Sequence, residues 1–296
     1  SNIQINETVN KNILFDSYIW VTGTSDLAKK YSYDFFKKLK SLCKLKKNNF
    51  IIEIASNDGT FLQPFLKNNF TNILGVDPAK NISKIASKNK IKNIISFWNY
   101  DTSKIIKKKF GHSKLVFARN VIPHVSDLKS VIKGIYNILD KDGVGVVEFH
   151  YALKIFEGLQ YDSIYHEHLN YFTLKSFEQL LKLHNLIPFD VIISPMSGGS
   201  LAVCFSKNKR KKSINYQKVK NNEKKIKLNN LSSWKKFGDR VYKHKMDTIA
   251  LLKKYQNKKI IGFGSSARSQ TYLNFCNIKD RDIIAIIDNN KMKQGK

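Results

Sequence analysis

Residues 51–60 read IIEIASNDGT, and this segment sets the pattern for the rest of the chain. Its first five residues are apolar apart from Glu53, as in a parallel strand that is covered on both faces. The turn formers SNDG follow, and the apolar residues after Thr60 have helical spacing. We therefore expect a buried strand, a tight loop and a helix whose free amide groups face a ligand crevice.

A second apolar run, ILGV at residues 73–76, ends in Asp77. In nucleotide-binding α/β folds, an acid at this place binds the ribose hydroxyls. Asp77 can equally cap the helix that begins near Pro78. The first loop has a single glycine and is a weak match to the three-glycine dinucleotide pattern, so both interpretations stay open.

Strand and helix patterns alternate along the first two thirds of the chain. Strands are predicted near residues 51–55, 73–77, 93–98, 114–118 and 144–149, with helices over 31–45, 128–139 and 174–183. The sequence DKDG at 140–143 predicts a turn. The alternation predicts a doubly wound parallel sheet of the α/β class, which the segments 190–193 and 201–205 would close as an antiparallel hairpin.

Changes in composition divide the chain into four predicted units. They are an N-terminal arm (1–30), a Rossmann-like domain (31–206), a lysine-rich helical linker (207–257) and a partial second Rossmann-like domain (258–296). In the last unit, IIGFGSSAR repeats the strand, loop and helix pattern, and Asp288 repeats the acid at a strand end. Because two strands cannot bury both of their faces, we expect this unit to be truncated.

The net charge first suggests a nucleic-acid or membrane partner. The 296 residues carry a formal charge of +29 at pH 7, with 42% hydrophobic residues. Only five of the 52 basic residues are arginine, however, whereas nucleic-acid sites favour the planar guanidinium. We therefore expect no nucleic-acid partner.

The rest of the composition indicates a cytoplasmic protein without a membrane partner. The N-terminus lacks a signal-peptide core, and no apolar run approaches 18 residues. Cys43, Cys204 and Cys276 lie far apart in apolar surroundings, so we expect buried thiols rather than disulfides or a zinc cluster.

The densest group of polar side chains is YHEH at residues 165–168, followed by Asn170 and Tyr171. Three interpretations remain: a hydrogen-bonded loop, a metal site, and acid–base catalysis in which a near-neutral histidine removes a proton. The two histidines lack the spacing of helical metal ligands, so no metal is expected. His124 follows the fourth predicted strand, at the edge that faces the ligand crevice, and is either structural or part of the same site.

Seven motifs together resemble the nucleotide-sugar C-methyltransferases of deoxysugar biosynthesis, which make branched sugars such as mycarose. They are EIASNDGTF (53–61), GVDPAKNI (75–82), RNVIPHVSDL (119–128), DSIYHEHLNYFT (162–173), SGGSLAV (197–203), GFGSSARSQTYLNF (262–275) and DNNKMKQGK (288–296). The resemblance runs from about Leu14 to the last residue. The YHEH and SGGS motifs are specific, whereas the first loop is general for enzymes that use S-adenosylmethionine.

The resemblance implies a class I methyltransferase domain that binds S-adenosylmethionine over residues 31–206. The implied cofactor-binding residues are Glu53, Ala55, Ser56, Asn57, Asp58, Gly59, Asp77, Pro78, Phe97, Trp98, Asn99, Arg119 and Asn120. The implied base is His168, assisted by Tyr165, Glu167 and His124. The implied contacts of a nucleotide-diphosphate sugar are Tyr18, Asn120, His124, Tyr171, Gly198, Gly199, Ser200, Gly264, Ser265, Arg268 and Asp288.

The sequence departs from the family pattern in three respects. The small cysteine-rich zinc domain with which the family usually opens has no counterpart in these residues, and the family's C-terminal domain usually continues further. Ala55 and Asp77 stand where the family usually has Gly and Glu. Transfer of a methyl group to oxygen or nitrogen of a small polar acceptor remains an alternative, as does RNA methylation, for which only the charge argues. We expect a monomer or homodimer.

Overall fold

The computed structural model describes residue 15, residues 18–288 and residue 295, and the rest of the predicted arm and C-terminal unit lies outside the described residues. The strands of the main sheet are β1 (Ile51–Ile54), β2 (Ile73–Val76), β3 (Asn93–Ile94), β4 (Ser113–Arg119), β5 (Leu139–His150), β6 (Ile187–Ser194) and β7 (Ser200–Ser206). Their order is β3-β2-β1-β4-β5-β7-β6. The first five strands pair in parallel, and β7 runs antiparallel to β5 and β6. The predicted Rossmann-like sheet with its closing hairpin is therefore confirmed.

Helices cover both faces of this sheet. They are α1 (Asp26–Leu42), α2 (Gln63–Lys67), α3 (Lys80–Lys88), α4 (Tyr100–Phe110), α5 (Leu128–Ile138), α6 (Ala152–Glu157) and α7 (Leu174–Lys182). Helix α1 begins earlier than predicted because the hydroxyl of Ser25 accepts a hydrogen bond from the amide of Ala28 and caps it.

The central strand β1 shows how the sheet is buried. Ile52 joins the apolar core on one face, whereas Ile51 packs into the core on the other face with Phe35 and Phe61. Successive side chains of a strand point to opposite faces, so an uninterrupted apolar strand needs a cover on each side. This burial holds the carboxyl end of β1, where the first loop begins, in a fixed position.

Two predicted boundaries were wrong. The third strand ends at Ile94, because the following residues leave the sheet and Asn99 caps α4 with its side chain. The predicted turn at 140–143 lies within β5, whose register with β4 shifts between Ser113 and Leu115. A bulge of this kind takes up the extra residues without ending the strand.

The C-terminal part has the predicted succession of helices and strands. Its elements are α8 (Ile214–Lys225), α9 (Leu231–Lys254), β8 (Ile261–Phe263), α10 (Ala267–Cys276) and β9 (Ala285–Ile287). Strands β8 and β9 pair in parallel. Within residues 18–288, no helix combines the length and the apolar composition needed to cross a membrane.

Candidate active site

The first loop leaves β1 with three residues in the left-handed region. Ala55, Asn57 and Gly59 have φ angles of 54°, 51° and 80°. A side chain at Gly59 would place its Cβ 2.6 Å from the side chain of Ile91, so only glycine fits there without rearrangement. The loop is therefore compact and lies at the carboxyl edge of the sheet, where ligands bind in folds of this class.

Asp77 holds this loop to the start of the next helix. One carboxylate oxygen accepts from the amide of Asn57 and the other from the amide of Ala79, each at 2.9 Å. Burial raises the pKa of Asp77, although both hydrogen bonds act against that rise. Pro78, which lies between Asp77 and Ala79 in the chain, is half-buried. Helix α3 begins after Ala79 without a side-chain cap, so Asp77 fastens the loop rather than capping the helix, and its contact with ribose stays a prediction.

Residues 18–24, which we call the N-terminal strap, lie over the first loop. The amides of Thr22 and Gly23 donate to the side chains of Asn57 and Asp58 at 2.8 and 2.9 Å. The side-chain amide of Asn57 donates in turn to the carbonyl of Trp20. The loop residues predicted to bind the cofactor with their side chains therefore also hold the strap in place.

Several buried polar atoms at this edge have no hydrogen-bond partner in the part of the chain that the structure describes. They include Glu53 Oε2, Ser56 Oγ and Asn120 Oδ1. Burial raises the pKa of Glu53 well above its usual range. Buried polar groups nearly always have partners, so these atoms fit a polar ligand that carries hydroxyl and amino groups.

Arg119 reaches the same edge but is engaged within the protein. Its guanidinium donates to both carboxylate oxygens of Glu148, at 2.9 and 3.2 Å, and lies over the ring of Phe61. Glu148 is fully buried and also accepts a hydrogen bond from Ser194. A buried charge needs such a partner, so this pair is structural, which the sequence did not predict.

The residues predicted to bind the cofactor after β3 contact other parts of the protein. Trp98 donates from Nε1 to the carbonyl of Val131, and Asn99 caps α4, so both side chains are engaged in the fold. The ring of Phe97 packs edge-on against Phe15 at 6.0 Å. Cofactor contacts by these residues stay predictions.

The loop predicted to carry catalysis, residues 165–171, which we call the catalytic loop, is docked beside His124. The amides of Leu169 and Asn170 both donate to the carbonyl of Pro123. The rings of His124 and His168 are 4.8 Å apart, and the ring of Tyr165 lies 4.4 Å from that of His168. The two predicted histidine sites, distant in sequence, therefore form one cluster.

The hydrogen bond of His168 settles its tautomer. Its Nδ1 lies 2.9 Å from the carbonyl oxygen of Ser163, which also accepts from the hydroxyl of Tyr171. A carbonyl oxygen can only accept, so Nδ1 carries the proton and Nε2 has a lone pair. Burial lowers the pKa of His168, which favours the neutral ring.

Glu167, which the resemblance implies as an assistant of His168, forms no hydrogen bond to that ring among the described residues. Its carboxylate lies 4.0 Å from Nδ1 of His124 instead. The turn closed by the amide of His168 and the carbonyl of Tyr165 sends neighbouring side chains in different directions, which explains the exchange of partners. Burial lowers the pKa of His124 to about 3, so this ring is neutral as well.

Tyr18 lies near both the first loop and the catalytic loop. Burial raises its pKa strongly, and the nearby carboxylates of Glu167 and Asp77 act in the same direction. Its carbonyl accepts from the side chain of Asn81. The strap therefore brings this predicted substrate residue between the two halves of the site.

The glycine turn before β7 contacts Gln160 and Lys154. Gly198 and Gly199 have φ angles of 79° and 120°, and the carbonyl of Gly198 accepts from Gln160 Nε2 at 3.0 Å. A Cβ at Gly199 would lie 2.6 Å from the side chain of Lys154. Ser200, the first residue of β7, is buried.

His150, at the end of β5, was missed by the sequence reasoning. Its Nε2 lies 3.0 Å from Gln160 Oε1, and burial lowers its pKa to about 4. Its position at the carboxyl end of a strand is the signal that singled out His124 and could have singled out His150. Ser163 acts through its backbone carbonyl, for which the sequence carries no signal.

The loop after β8 has a hydrogen bond of the same kind as the first loop. The amide of Ser265 donates to the carboxylate of Asp288 at 2.8 Å, as the amide of Asn57 does to Asp77. Gly264 has a φ of 93°. In both units, an acid at a strand end fastens the neighbouring loop.

Arg268 lies in the first turn of α10 and contacts the segment just before the catalytic loop. It forms a two-bond ion pair with Asp162, both distances being 2.9 Å. Among the described residues, no group of three or more His, Cys, Asp or Glu side chains is arranged to hold a metal ion.

Comparisons with known proteins identify the family. The model of a methyltransferase domain matches residues 27–187, and that of a C-methyltransferase C-terminal domain matches residues 195–296. The chain belongs to the methyltransferase domain family. S-adenosylmethionine is its cofactor, and the unpartnered polar atoms around the first loop fit that molecule.

Individual relatives agree with this family. The C-methyltransferase NovU of Streptomyces niveus is 28% identical over 203 residues, which are 67% of this chain and 47% of that protein. The chain thus spans about half the length of this curated relative. A solved S-adenosylmethionine-dependent methyltransferase from Anabaena variabilis is similar in fold, with a TM-score of 0.51 and 15% identity over 67% of this chain and 91% of that chain. The matches support a C-methyltransferase family, with the class I fold that the resemblance implied.

Proposed function

We propose that the chain is the catalytic part of a C-methyltransferase that acts on a nucleotide-diphosphate-linked 4-keto sugar, with His168 as the base. The observation that carries the proposal is the bond between His168 Nδ1 and the carbonyl of Ser163. It leaves the lone pair on Nε2, the atom that can take a proton from a substrate carbon. The name of the relative NovU and the C-methyltransferase match over 195–296 support transfer to carbon.

The chemistry follows from the ketone. A carbonyl at C4 acidifies the hydrogen on C3, so His168 Nε2 can remove it while the electron pair of the C–H bond moves to the C4 oxygen. Tyr165 and His124 flank His168, and either can donate a hydrogen bond to that oxygen. Such a donor is typically worth about 2.7–4 kcal/mol. When bound, S-adenosylmethionine supplies the electrophilic methyl group that becomes attached to C3.

The neutral state of the cluster suits this reaction. Burial keeps His124 and His168 uncharged at neutral pH, so the base does not need to lose a proton first. Burial also raises the pKa of Tyr165 to about 12, which keeps its hydroxyl protonated as a donor.

The two ligands would lie on either side of this cluster. For the cofactor we propose the first loop, Asp77 and the unpartnered oxygens of Glu53, Ser56 and Asn120. For the sugar nucleotide we propose Tyr18, the Gly198–Gly199 turn and the loop from Gly264 with Arg268 and Asp288.

Deuterium exchange at C3, measured in D₂O without a methyl donor, tests the proposal. A nucleotide-linked 4-keto-6-deoxysugar should exchange its C3 hydrogen with the wild type and not with His168→Asn, whose cofactor affinity should be unchanged. His166→Asn, on the other side of Glu167, serves as the matched control and should slow C3 exchange much less. Exchange at a near wild-type rate in His168→Asn would exclude His168 as the base. Methyl transfer without exchange in the wild type would favour an oxygen or nitrogen acceptor.

A further inference from the structure

One short turn joins the C-terminal unit to the catalytic loop. Residues 160–163, which we call the hub turn, contain the 3-10 helix Tyr161–Ser163. Its Ser163 carbonyl holds His168 Nδ1 and the Tyr171 hydroxyl, so the turn determines where the ring of His168 lies and which nitrogen carries the proton.

The opposite side of the hub turn contacts the C-terminal helices. The hydroxyl of Tyr161 lies 3.0 Å from His244 Nδ1 of α9, and its ring packs on Phe275 of α10 at 5.1 Å. The packing is incomplete, because a cavity of about 240 Å³ remains between the turn and the two helices. Apolar contacts are non-directional, so they fix the orientation of the two sides less sharply than directed bonds do.

The ion pair between Arg268 and Asp162 constrains the orientation of the hub turn relative to α10. Both hydrogen bonds measure 2.9 Å and join the fork of the guanidinium to both carboxylate oxygens. The pair is about one third exposed on each side, so its net contribution to stability is small. Its geometric effect is specific, because a two-bond pair allows one orientation of the two planar groups.

We propose that Arg268 is a positioning residue, whose ion pair with Asp162 fixes the hub turn and thereby the orientation of His168. Asp162 directly precedes Ser163, so a displacement of its carboxylate moves the carbonyl that holds the imidazole. The orientation of the base then depends on the docking of α10, the helix that follows the loop proposed for the sugar nucleotide. The positive charge of Arg268 also acts in the direction of a neutral His168. This inference rests on the proposed function, in which His168 is the base.

The experiment combines a spectroscopic readout with kinetics on the full chain. The ring nitrogens of His168 are observed by NMR in protein labelled with ¹⁵N-histidine and assigned with His168→Asn. In the wild type we expect the pattern of a ring protonated at Nδ1. In Arg268→Gln and Asp162→Asn we expect a mixture of tautomers, and kcat for C3 exchange should fall about 10- to 100-fold with a smaller change in KM. The double variant should be no worse than either single variant, because both remove the same pair.

Two further variants separate positioning from general damage. Arg268→Lys keeps the charge but loses the fork, so it should restore part of kcat and of the Nδ1 pattern. Arg240→Gln is the matched control, since Arg240 of α9 bonds the carbonyls of Phe156 and Glu157 and not the hub turn. It should leave the His168 signals and kcat unchanged, and thermal unfolding should show that all variants are folded.

The outcomes distinguish this inference from the proposed function. Unchanged His168 signals in folded Arg268→Gln, with only KM raised, would overturn the inference and leave Arg268 with only the substrate contact proposed above. A mixed tautomer in Arg268→Gln together with full C3 exchange in His168→Asn would support positioning of His168 and overturn its role as the base.

Discussion

Three residues that are not glycine adopt left-handed backbone at the carboxyl edge of the sheet. Ala55, Asn57 and Asn120 have φ angles of 54°, 51° and 49°. Asparagine tolerates this region better than other residues, whereas alanine has no side-chain group that compensates the clash of its Cβ. The strain therefore concentrates at Ala55, in the position where the resembled family usually has glycine.

Replacing Ala55 by glycine should stabilise the protein. The left-handed conformation costs alanine roughly 1–2 kcal/mol, and the greater entropy of glycine in the unfolded chain offsets part of the gain. We expect the free energy of unfolding in urea to rise by about 0.5–1 kcal/mol. Ala28→Gly is the control, because Ala28 lies buried in the right-handed helix α1 and its replacement should cost about 1 kcal/mol. Equal losses in the two variants would show that Ala55 is not strained.

The pH dependence of C3 exchange should follow His168. Its pKa is lowered by burial, so the unprotonated base persists to pH values below the ordinary midpoint of 6.5. The rate constant kcat/KM for exchange should therefore be flat at neutral pH and fall on the acid side with a midpoint below 6.5. A midpoint at or above that ordinary value, in a titration of exchange across the acid and neutral range, would contradict the proposed environment of this residue.

Among the structural elements, the N-terminal strap approaches the first loop closely. A Cβ on Gly23 would lie 2.4 Å from Asp58 Oδ2 and 2.9 Å from Thr60 Oγ1. The strap can therefore follow the loop only because residue 23 is glycine. The two hydrogen bonds that its backbone amides donate to the loop also tie Tyr18 into the site.

Gly23→Ala should displace the strap and weaken cofactor binding. Such overpacking typically costs about 1–3 kcal/mol. If half of that free energy is lost from cofactor binding, calorimetry should show a loss of S-adenosylmethionine affinity of about 2- to 12-fold. Gly238→Ala in helix α9 is the matched control, since a Cβ added there would meet no described atom within 4 Å and alanine favours a helix. The control should bind the cofactor normally. Wild-type affinity in Gly23→Ala would mean that the strap does not cover the cofactor.

At the scale of the whole molecule, Glu223 joins the helical linker to the methyltransferase domain. This buried carboxylate of α8 accepts from the hydroxyl of Tyr151 and from the backbone amides of Leu174 and Lys175 at the start of α7. It thus supplies partners for the unsatisfied amides of a helix N-terminus. The linker is therefore part of the folded body and not a separate spacer.

Glu223→Ala should destabilise the whole chain. It leaves the Tyr151 hydroxyl and two amides unpaired, each typically costing about 1–3 kcal/mol, so we expect a loss of at least about 2 kcal/mol in the free energy of unfolding. Glu157→Ala is the control, because Glu157 is exposed and pairs only with Lys154 among the described residues, a contact worth about 0–1 kcal/mol. Similar losses for the two variants, measured by urea denaturation, would show that α8 is not tied in by this carboxylate.

The sequence by itself was enough to predict the succession of strands and helices and the edge of the sheet at which the predicted site residues lie. Apolar periodicity is a local property, and the carboxyl ends of parallel strands must meet at one edge. Asp77, Asn120 and His124 could therefore be assigned to that edge from their positions after predicted strands. The length of β3 and the bulge in β5 could not, because the ends of strands depend on hydrogen bonds with neighbouring segments.

Only the tertiary structure decided which groups bind one another. The carbonyl of Ser163 holds His168, while Glu167, the neighbour in sequence, lies beside His124. Asp162 pairs with Arg268, which is 106 residues away. Hydrogen bonds and ion pairs of this kind depend on how loops approach one another in space, and the approach is set by packing of the whole core. The residue types of the candidate site can therefore be recognised in the sequence, whereas their hydrogen-bond and ion-pair partners are determined by the fold.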